Sequence, residues 1–138
     1  MIAYVDSSVL LRKLFGEPRS LSEWATIEVA YSSRLLPLEV GRVIDQCRLA
    51  GQITDDEVAQ LHEQAHELML AIDILAITDA ILERAASPMP TVLGSLDSIH
   101  LSTAIELRRT LEKPVRVATH DVQLARAARS SGLEVCGI

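Results

Sequence analysis

Four carboxylates stand out by position: Asp6, Glu39, Asp97 and Asp121. Asp6 ends the apolar run Ile-Ala-Tyr-Val and Asp121 follows Val-Arg-Val-Ala-Thr-His, so two stretches that read as buried strands each deliver an acid at the carboxyl end. In an open parallel sheet, ligands bind beyond those ends, near the point where strand order reverses. Asp97 shares a helical face with Leu101, Ala104 and Ile105, the stripe that should pack on the sheet, so it points inward. An ionised carboxylate is costly to bury alone, and a cation is a natural partner. Glu39 borders the apolar stripe of its own helix, one turn from Leu36 and Val43, and could face the same cavity.

Hard oxygen ligands of this kind suit magnesium, which usually keeps several waters and needs only one or two direct carboxylates. A bound metal acidifies a water and stabilises charge on a phosphoryl oxygen, and a second metal about 3.5–4 Å away would help the leaving oxygen. The chemistry implied is phosphodiester hydrolysis. A plainer reading stands beside it. Asp6, Asp97 and Asp121 could each be helix N-caps, worth about 1 kcal/mol apiece. Glu39 could pair with Arg42 three residues on. His100, three residues after Asp97, reads as structural rather than as a metal ligand. A phosphorylation-switched receiver would need adjacent acids after the first strand and a Lys after the last core strand. This chain has Asp6-Ser7-Ser8, and Lys113 precedes its strand; the same triplet lacks the second Asp of a haloacid-dehalogenase-type phosphatase.

The elements that must position these acids follow from periodicity and punctuation. A strand over residues 2–5 leads into a helix stopped near Gly16 and Pro18. A second helix is expected from Ser20 to about Thr26, then a strand over 27–33. Leu36, Val40, Val43, Ile44 and Cys47 mark a helix ended by Gly51, and Thr54 with Glu57 forms a capping box for the next, making a helical hairpin. A strand over 71–77 precedes a helix capped by Thr78 and ended by Pro88 and Pro90. Residues 87–95 form the longest loop. A helix from Asp97 to about Arg109, a strand over 115–119, a helix over 121–130 and a last strand over 133–138 complete the chain. Strands alternating with helices imply one α/β domain over 1–138, a three-layer α/β/α arrangement around a mainly parallel sheet of four to five strands.

Composition limits the alternatives. The chain has 138 residues, 49% hydrophobic, and a net charge of −6 from 19 acidic and 13 basic residues, which argues against a broad basic surface for nucleic acid. Setting the four acids aside leaves 15 against 13, so much of the imbalance could belong to one metal site. One Trp, two Tyr and one Phe make base stacking on aromatic platforms improbable. Arg108, Arg109, Lys113 and Arg116 read as a solvated face at the sheet edge opposite the acids. Cys47 and Cys136 read as reduced core residues of a cytoplasmic protein. Neither a signal peptide nor a membrane span is expected.

Four stretches, IAYVDSSVLL, LLPLEVGRV, LGSLDSIHLSTA and VATHDVQLARAARSSGL, resemble the four acidic motifs of PIN-domain nucleases, and specifically the VapC toxins of type II toxin–antitoxin pairs. With the helical hairpin, the likeness covers nearly the whole chain; Ser98 stands where Ala is more usual. The resemblance implies an endoribonuclease dependent on Mg²⁺ or Mn²⁺ that cleaves structured RNA such as tRNA or rRNA. It implies inhibition by a cognate VapB-like antitoxin and assembly as a homodimer, or as a heterotetramer or larger with that antitoxin. By the same resemblance Asp6 and Asp97 are the principal metal ligands, Asp121 and Glu39 complete the catalytic site, and Ser7 and Thr119 supply supporting hydroxyls. The alternative is a PIN-like module that binds RNA or a partner without cutting.

Overall fold

Alternation along the first strand sets the architecture. In the computed structural model, which describes residues 1–138, β1 (Ile2–Val5) sends Ala3 and Val5 into one apolar cluster and Tyr4 into another. A strand buried on both faces belongs at the centre of a parallel sheet, which is why its sequence is a continuous apolar run. The chain continues through α1 (Ser7–Leu14), β2 (Val29–Ser33), α2 (Leu35–Leu49), α3 (Asp55–Leu70), β3 (Ile72–Leu75) and α4 (Asp79–Ala85). α5 (Ser95–Leu111), β4 (Arg116–Ala118), α6 (Val122–Ser130) and β5 (Glu134–Cys136) follow.

All five strands are parallel, in the order β3-β2-β1-β4-β5. From β1 the chain winds outward to β2 and β3, then returns across the sheet to place β4 on the other side of β1. The direction of winding therefore reverses between β1 and β4. On one face, Val9, Leu10 and Leu14 of α1 pack with Leu36, Val40 and Ile44 of α2 and Ala65 of α3. On the other, Leu101, Ala104 and Leu107 of α5 pack with Leu124, Ala127 and Ala128 of α6, and α4 lies against α5. This is the three-layer α/β/α fold read from the sequence, with five strands.

Local differences have local causes. The helix expected from Ser20 is a short 3₁₀ turn, Ser22–Thr26, with no buried residue to anchor a longer helix. α5 starts at Ser95 with Gly94 as its N-cap, so Asp97 is the third helical residue and not a cap. Thr54 and Thr78 cap α3 and α4 as their positions predict, each hydroxyl accepting a backbone N–H at 3.2 Å. Both cysteines are free; Cys136 is buried, but Cys47 is only half-buried because it lies at the edge of the α2 stripe. No helix is long and apolar enough to cross a membrane.

Gly137, just past β5, has φ +96°, and a Cβ placed there would lie 2.6 Å from the carbonyl oxygen of Thr119. Both the left-handed backbone and the close approach exclude a side chain. Gly137→Ala is expected to lower stability by about 2–4 kcal/mol in urea denaturation, through clash and strain together; an unchanged midpoint would show that the β4–β5 end relaxes freely.

Candidate metal centre

Asp6 follows β1, and its N–H donates to the carbonyl oxygen of Ala118 at 3.0 Å, so β1 and β4 end side by side at the reversal point. Its side chain is almost wholly buried and makes no capping hydrogen bond to α1. Instead Oδ2 accepts from Ser8 Oγ at 2.5 Å and Thr119 Oγ1 at 2.8 Å. Those hydroxyls accept in turn from the backbone N–H groups of His120 and Asp121, both at 2.9 Å. One carboxylate oxygen thereby ties the start of α1 to the end of β4. Ser7 Oγ is only loosely placed, 3.4 Å from Oδ1, so Ser8 rather than Ser7 is the close hydroxyl on the α1 side. Ser8 was legible as a third polar residue beside Asp6, but helical position alone does not say which serine faces back.

Asp121 does cap its helix: Oδ1 accepts from the N–H groups of Gln123 and Leu124 at 2.7 and 2.9 Å. The capping reading therefore holds for Asp121, through one oxygen, and for neither Asp6 nor Asp97. Asp97 makes no capping bond. Its pKa is raised to about 6, by burial first, then by the charges of Asp121 and Asp6 and more weakly Glu39, with His100 opposing. Those effects place Asp6 and Asp121, which follow β1 and β4, and Glu39 of α2 in one electrostatic neighbourhood with Asp97 of α5.

Glu39 does not pair with Arg42, which bonds Asp45 at 2.9 Å. It accepts instead from His100 Nε2 at 2.7 Å. A carboxylate only accepts, so Nε2 carries the proton whatever the charge of the ring. The other nitrogen, Nδ1, lies 2.7 Å from the Tyr4 hydroxyl, with the two rings edge to face. His100 is fully buried, and Nε2 is also 3.7 Å from Asp6 Oδ1. Burial alone would lower its pKa, but the bond to Glu39 and the charges of Asp6, Glu39 and Asp97 outweigh burial and raise it. Burial chiefly, with the Asp6 charge, keeps the Tyr4 hydroxyl protonated to well above its ordinary range. His100 is thus structural, as its helical setting suggests, and it also holds a site acid in place. Sequence reasoning missed that second role because the partners come from β1 and α2, far away in the chain.

The donor set is hard oxygen with unrelieved negative charge, which fits magnesium or manganese. No three acidic, imidazole or thiol side chains close into a ready-made cation cage. Magnesium itself needs only one or two direct carboxylates, keeping several of its waters. The cationic cluster lies elsewhere. Arg109 pairs with Glu106, Arg116 with Glu134, and Arg108 donates to the carbonyl oxygen of Gly132, all at or near the amino ends of the strands.

The PIN domain family model matches residues 3–130. Ribonuclease VapC47 of Mycobacterium tuberculosis (strain CDC 1551 / Oshkosh) is 32% identical over 136 residues, covering 94% of this chain and 91% of that protein. Ribonuclease VapC46 of M. tuberculosis (strain ATCC 25618 / H37Rv) is 27% identical over 135 residues, covering 96% and 94%. In fold, the chain is similar to one in the crystal structure of VapBC2 from Rickettsia felis bound to a promoter DNA fragment, with TM-score 0.69, 11% identity and coverage of 98% and 97%.

Because its folded pKa lies above the usual carboxylate value, Asp97 favours folding when protonated, an advantage complete below about pH 4 and lost as pH rises through about 6. Asp97→Asn should therefore raise the melting temperature of metal-free protein at pH 7 by roughly 3 °C, corresponding to about 1 kcal/mol after discounting for its half-exposed position. The gain should vanish near pH 4. Equal melting at pH 7 would show that Asp97 is not crowded by its neighbours.

Proposed function

As the chain belongs to the PIN-domain family, we propose that it is a metal-dependent endoribonuclease, the toxin of a VapC-type toxin–antitoxin pair. The observation that carries this reading is the crowding of Asp97 by Asp121, Asp6 and Glu39 at the carboxyl edge of the sheet, a concentration of acid that a divalent cation would relieve. Two relatives that bear the name ribonuclease and span nearly all of the chain support the reaction class. The substrate on this reading is a structured RNA, tRNA or rRNA. The VapBC neighbour supports a VapB-like antitoxin as partner, the toxin acting in the cytoplasm as a homodimer that the antitoxin gathers into a heterotetramer or larger assembly.

Asp6 and Asp97 would hold Mg²⁺, or Mn²⁺ in its place, with Glu39 and Asp121 completing the site. When bound, such a metal supplies an acidified water and neutralises charge growing on the phosphoryl oxygens. The chain's own groups do the positioning. Ser8 and Thr119 occupy Oδ2 of Asp6, leaving Oδ1 for the crevice. Asp121 spends Oδ1 on the α6 cap and keeps Oδ2 uncommitted. His100 holds Oε2 of Glu39, so Oε1 remains to accept from a water. Hydrolysis then adds that water across a P–O bond of the RNA backbone.

Purified, partner-free protein is expected to cleave RNA with Mg²⁺ or Mn²⁺ and not with EDTA, and Asp6→Ala or Asp97→Ala should reduce cleavage to background. His100→Gln should slow it about 10–100-fold, the usual loss when a supporting residue behind metal-site acids is removed. Equal cleavage by wild type and both aspartate variants would expose a contaminating nuclease. RNA bound but uncut would mark a binding module.

A further inference from the structure

A cavity of about 510 Å³ lies between α2, α3 and β3, and none of the four site acids lines it. α3 forms one wall with His62, Ala65, His66 and Met69, while Val40 of α2 and Ile74 of β3 contribute to the others. His62 and His66 are four residues apart on the helix, so their side chains leave it on one face with Cβ atoms about 5–6 Å apart. Each follows a residue of the apolar stripe, Leu61 or Ala65, and so falls at the border where the helix meets solvent; both are exposed. His100 and His120 are engaged by Tyr4, Glu39 and the Gly137 carbonyl oxygen, whereas no group of the chain engages the rings of His62 and His66. In its neutral form each of those two rings keeps a free lone pair on one nitrogen.

From one ring to the other the sequence reads His62-Glu63-Gln64-Ala65-His66. His-Glu-x-x-His on a helix is the spacing by which two imidazoles on one face bind zinc. Zinc takes nitrogen at about 2.0–2.1 Å, so two tetrahedral ligands lie about 3.3 Å apart, within reach of imidazoles on neighbouring turns. The local charge favours a cation, since α3 carries Asp55, Asp56, Glu57, Glu63 and Glu67 and no lysine or arginine. Arg34, the one guanidinium lining the cavity, opposes it, but Arg34 is exposed and its field is screened by water and salt. In a metallopeptidase the Glu of this motif acts as general base and a third protein ligand completes the zinc site. Here Glu63 does not line the cavity, and no third acidic, imidazole or thiol side chain closes on the pair. The motif therefore provides metal binding without the peptidase machinery.

We propose that His62 and His66 chelate one Zn²⁺ in this cavity, with waters filling its remaining positions. The site differs from the acidic centre in chemistry as well as in place: imidazole nitrogen suits zinc, nickel and copper, whereas carboxylate oxygen suits magnesium and manganese. It goes beyond the ribonuclease reading and does not depend on it. Its consequence is mechanical. Of the sixteen residues of α3 only Ala65 is buried, so the helix is held mainly by partly buried contacts such as Val58, Leu61 and Leu68. A metal joining consecutive turns clips α3 beside its one buried anchor.

The test is calorimetric titration of the full chain, free of any affinity tag, with Zn²⁺ in excess Mg²⁺ so that the acidic centre is occupied. Binding of a single Zn²⁺ is expected. His62→Ala and His66→Ala should each weaken it about ten-fold or more, because even groups that merely support a metal ligand are worth about 10–100-fold. Both residues are exposed, so each variant should melt like the parent without zinc. Ring ¹⁵N spectra of the wild type give a second readout that needs no substitution: of the four histidines, Zn²⁺ should shift the signals of two and leave the other two in place. No binding in excess Mg²⁺, binding that survives replacement of both histidines, or ring signals that do not move each overturns the proposal. RNA cleavage in Mg²⁺ should be the same in His62→Ala as in wild type. If wild type cuts no RNA, the ribonuclease reading fails while this inference stands; if it cuts RNA but binds no Zn²⁺, the reverse holds.

Discussion

A carboxylate that water barely reaches has to be solvated by the protein, and Asp6 is that group. It is 3% exposed, no lysine or arginine pairs with it, and its nearest nitrogen partner is His100 Nε2 at 3.7 Å. Ser8 and Thr119 supply the two short bonds instead, and each hydroxyl is oriented by a backbone N–H at the end of β4. Ionised groups accept stronger hydrogen bonds than neutral ones, so this arrangement offsets part of the burial cost without cancelling the charge. The charge survives to act on its neighbours. Had an arginine been placed there, the crevice would be neutral and of no use to a cation.

The same economy of neutralisation runs through the rest of the site. His100 sits among Glu39, Asp6 and Tyr4 and links β1, α2 and α5 through both ring nitrogens. Its rigidity matters more than its charge, since the bond to Glu39 persists in either protonation state. Asp97 receives no such support, and burial first, then the charges of Asp121 and Asp6, push its carboxyl up to about 6. Meanwhile Arg109 and Arg116, near the amino ends of the strands, are occupied by Glu106 and Glu134, which leaves the two ends of the sheet electrostatically different.

Much of this was legible before the fold was known. Apolar runs, capping residues and helix stops located nearly every element, and acids after the first and fourth strands pointed to one sheet edge. Inward placement of Asp97 followed from its helical stripe. What failed was local and short-range in origin. Residues 20–26 have helical composition but bury only Leu21, with Trp24 packed partly on the same core, too narrow an apolar face for more than a 3₁₀ turn. The start of α5 was put at Asp97 because Gly94 offers no capping side chain to read.

By itself, then, the sequence determined the alternation of strand and helix, the double burial of β1 and the candidate acids, because these depend on periodicity and on residue type. Tertiary structure alone decided which groups answer which. Glu39 turned to His100 and not to Arg42, Ser8 rather than Ser7 closed on Asp6, and His120 turned its Nδ1 to the Gly137 carbonyl oxygen. Tertiary bonds at this site join residues as far apart as 61 positions, Glu39 to His100, and 113, Asp6 to Thr119. They are set by strand order and by the few degrees of helix rotation that aim a side chain, neither of which local spacing encodes.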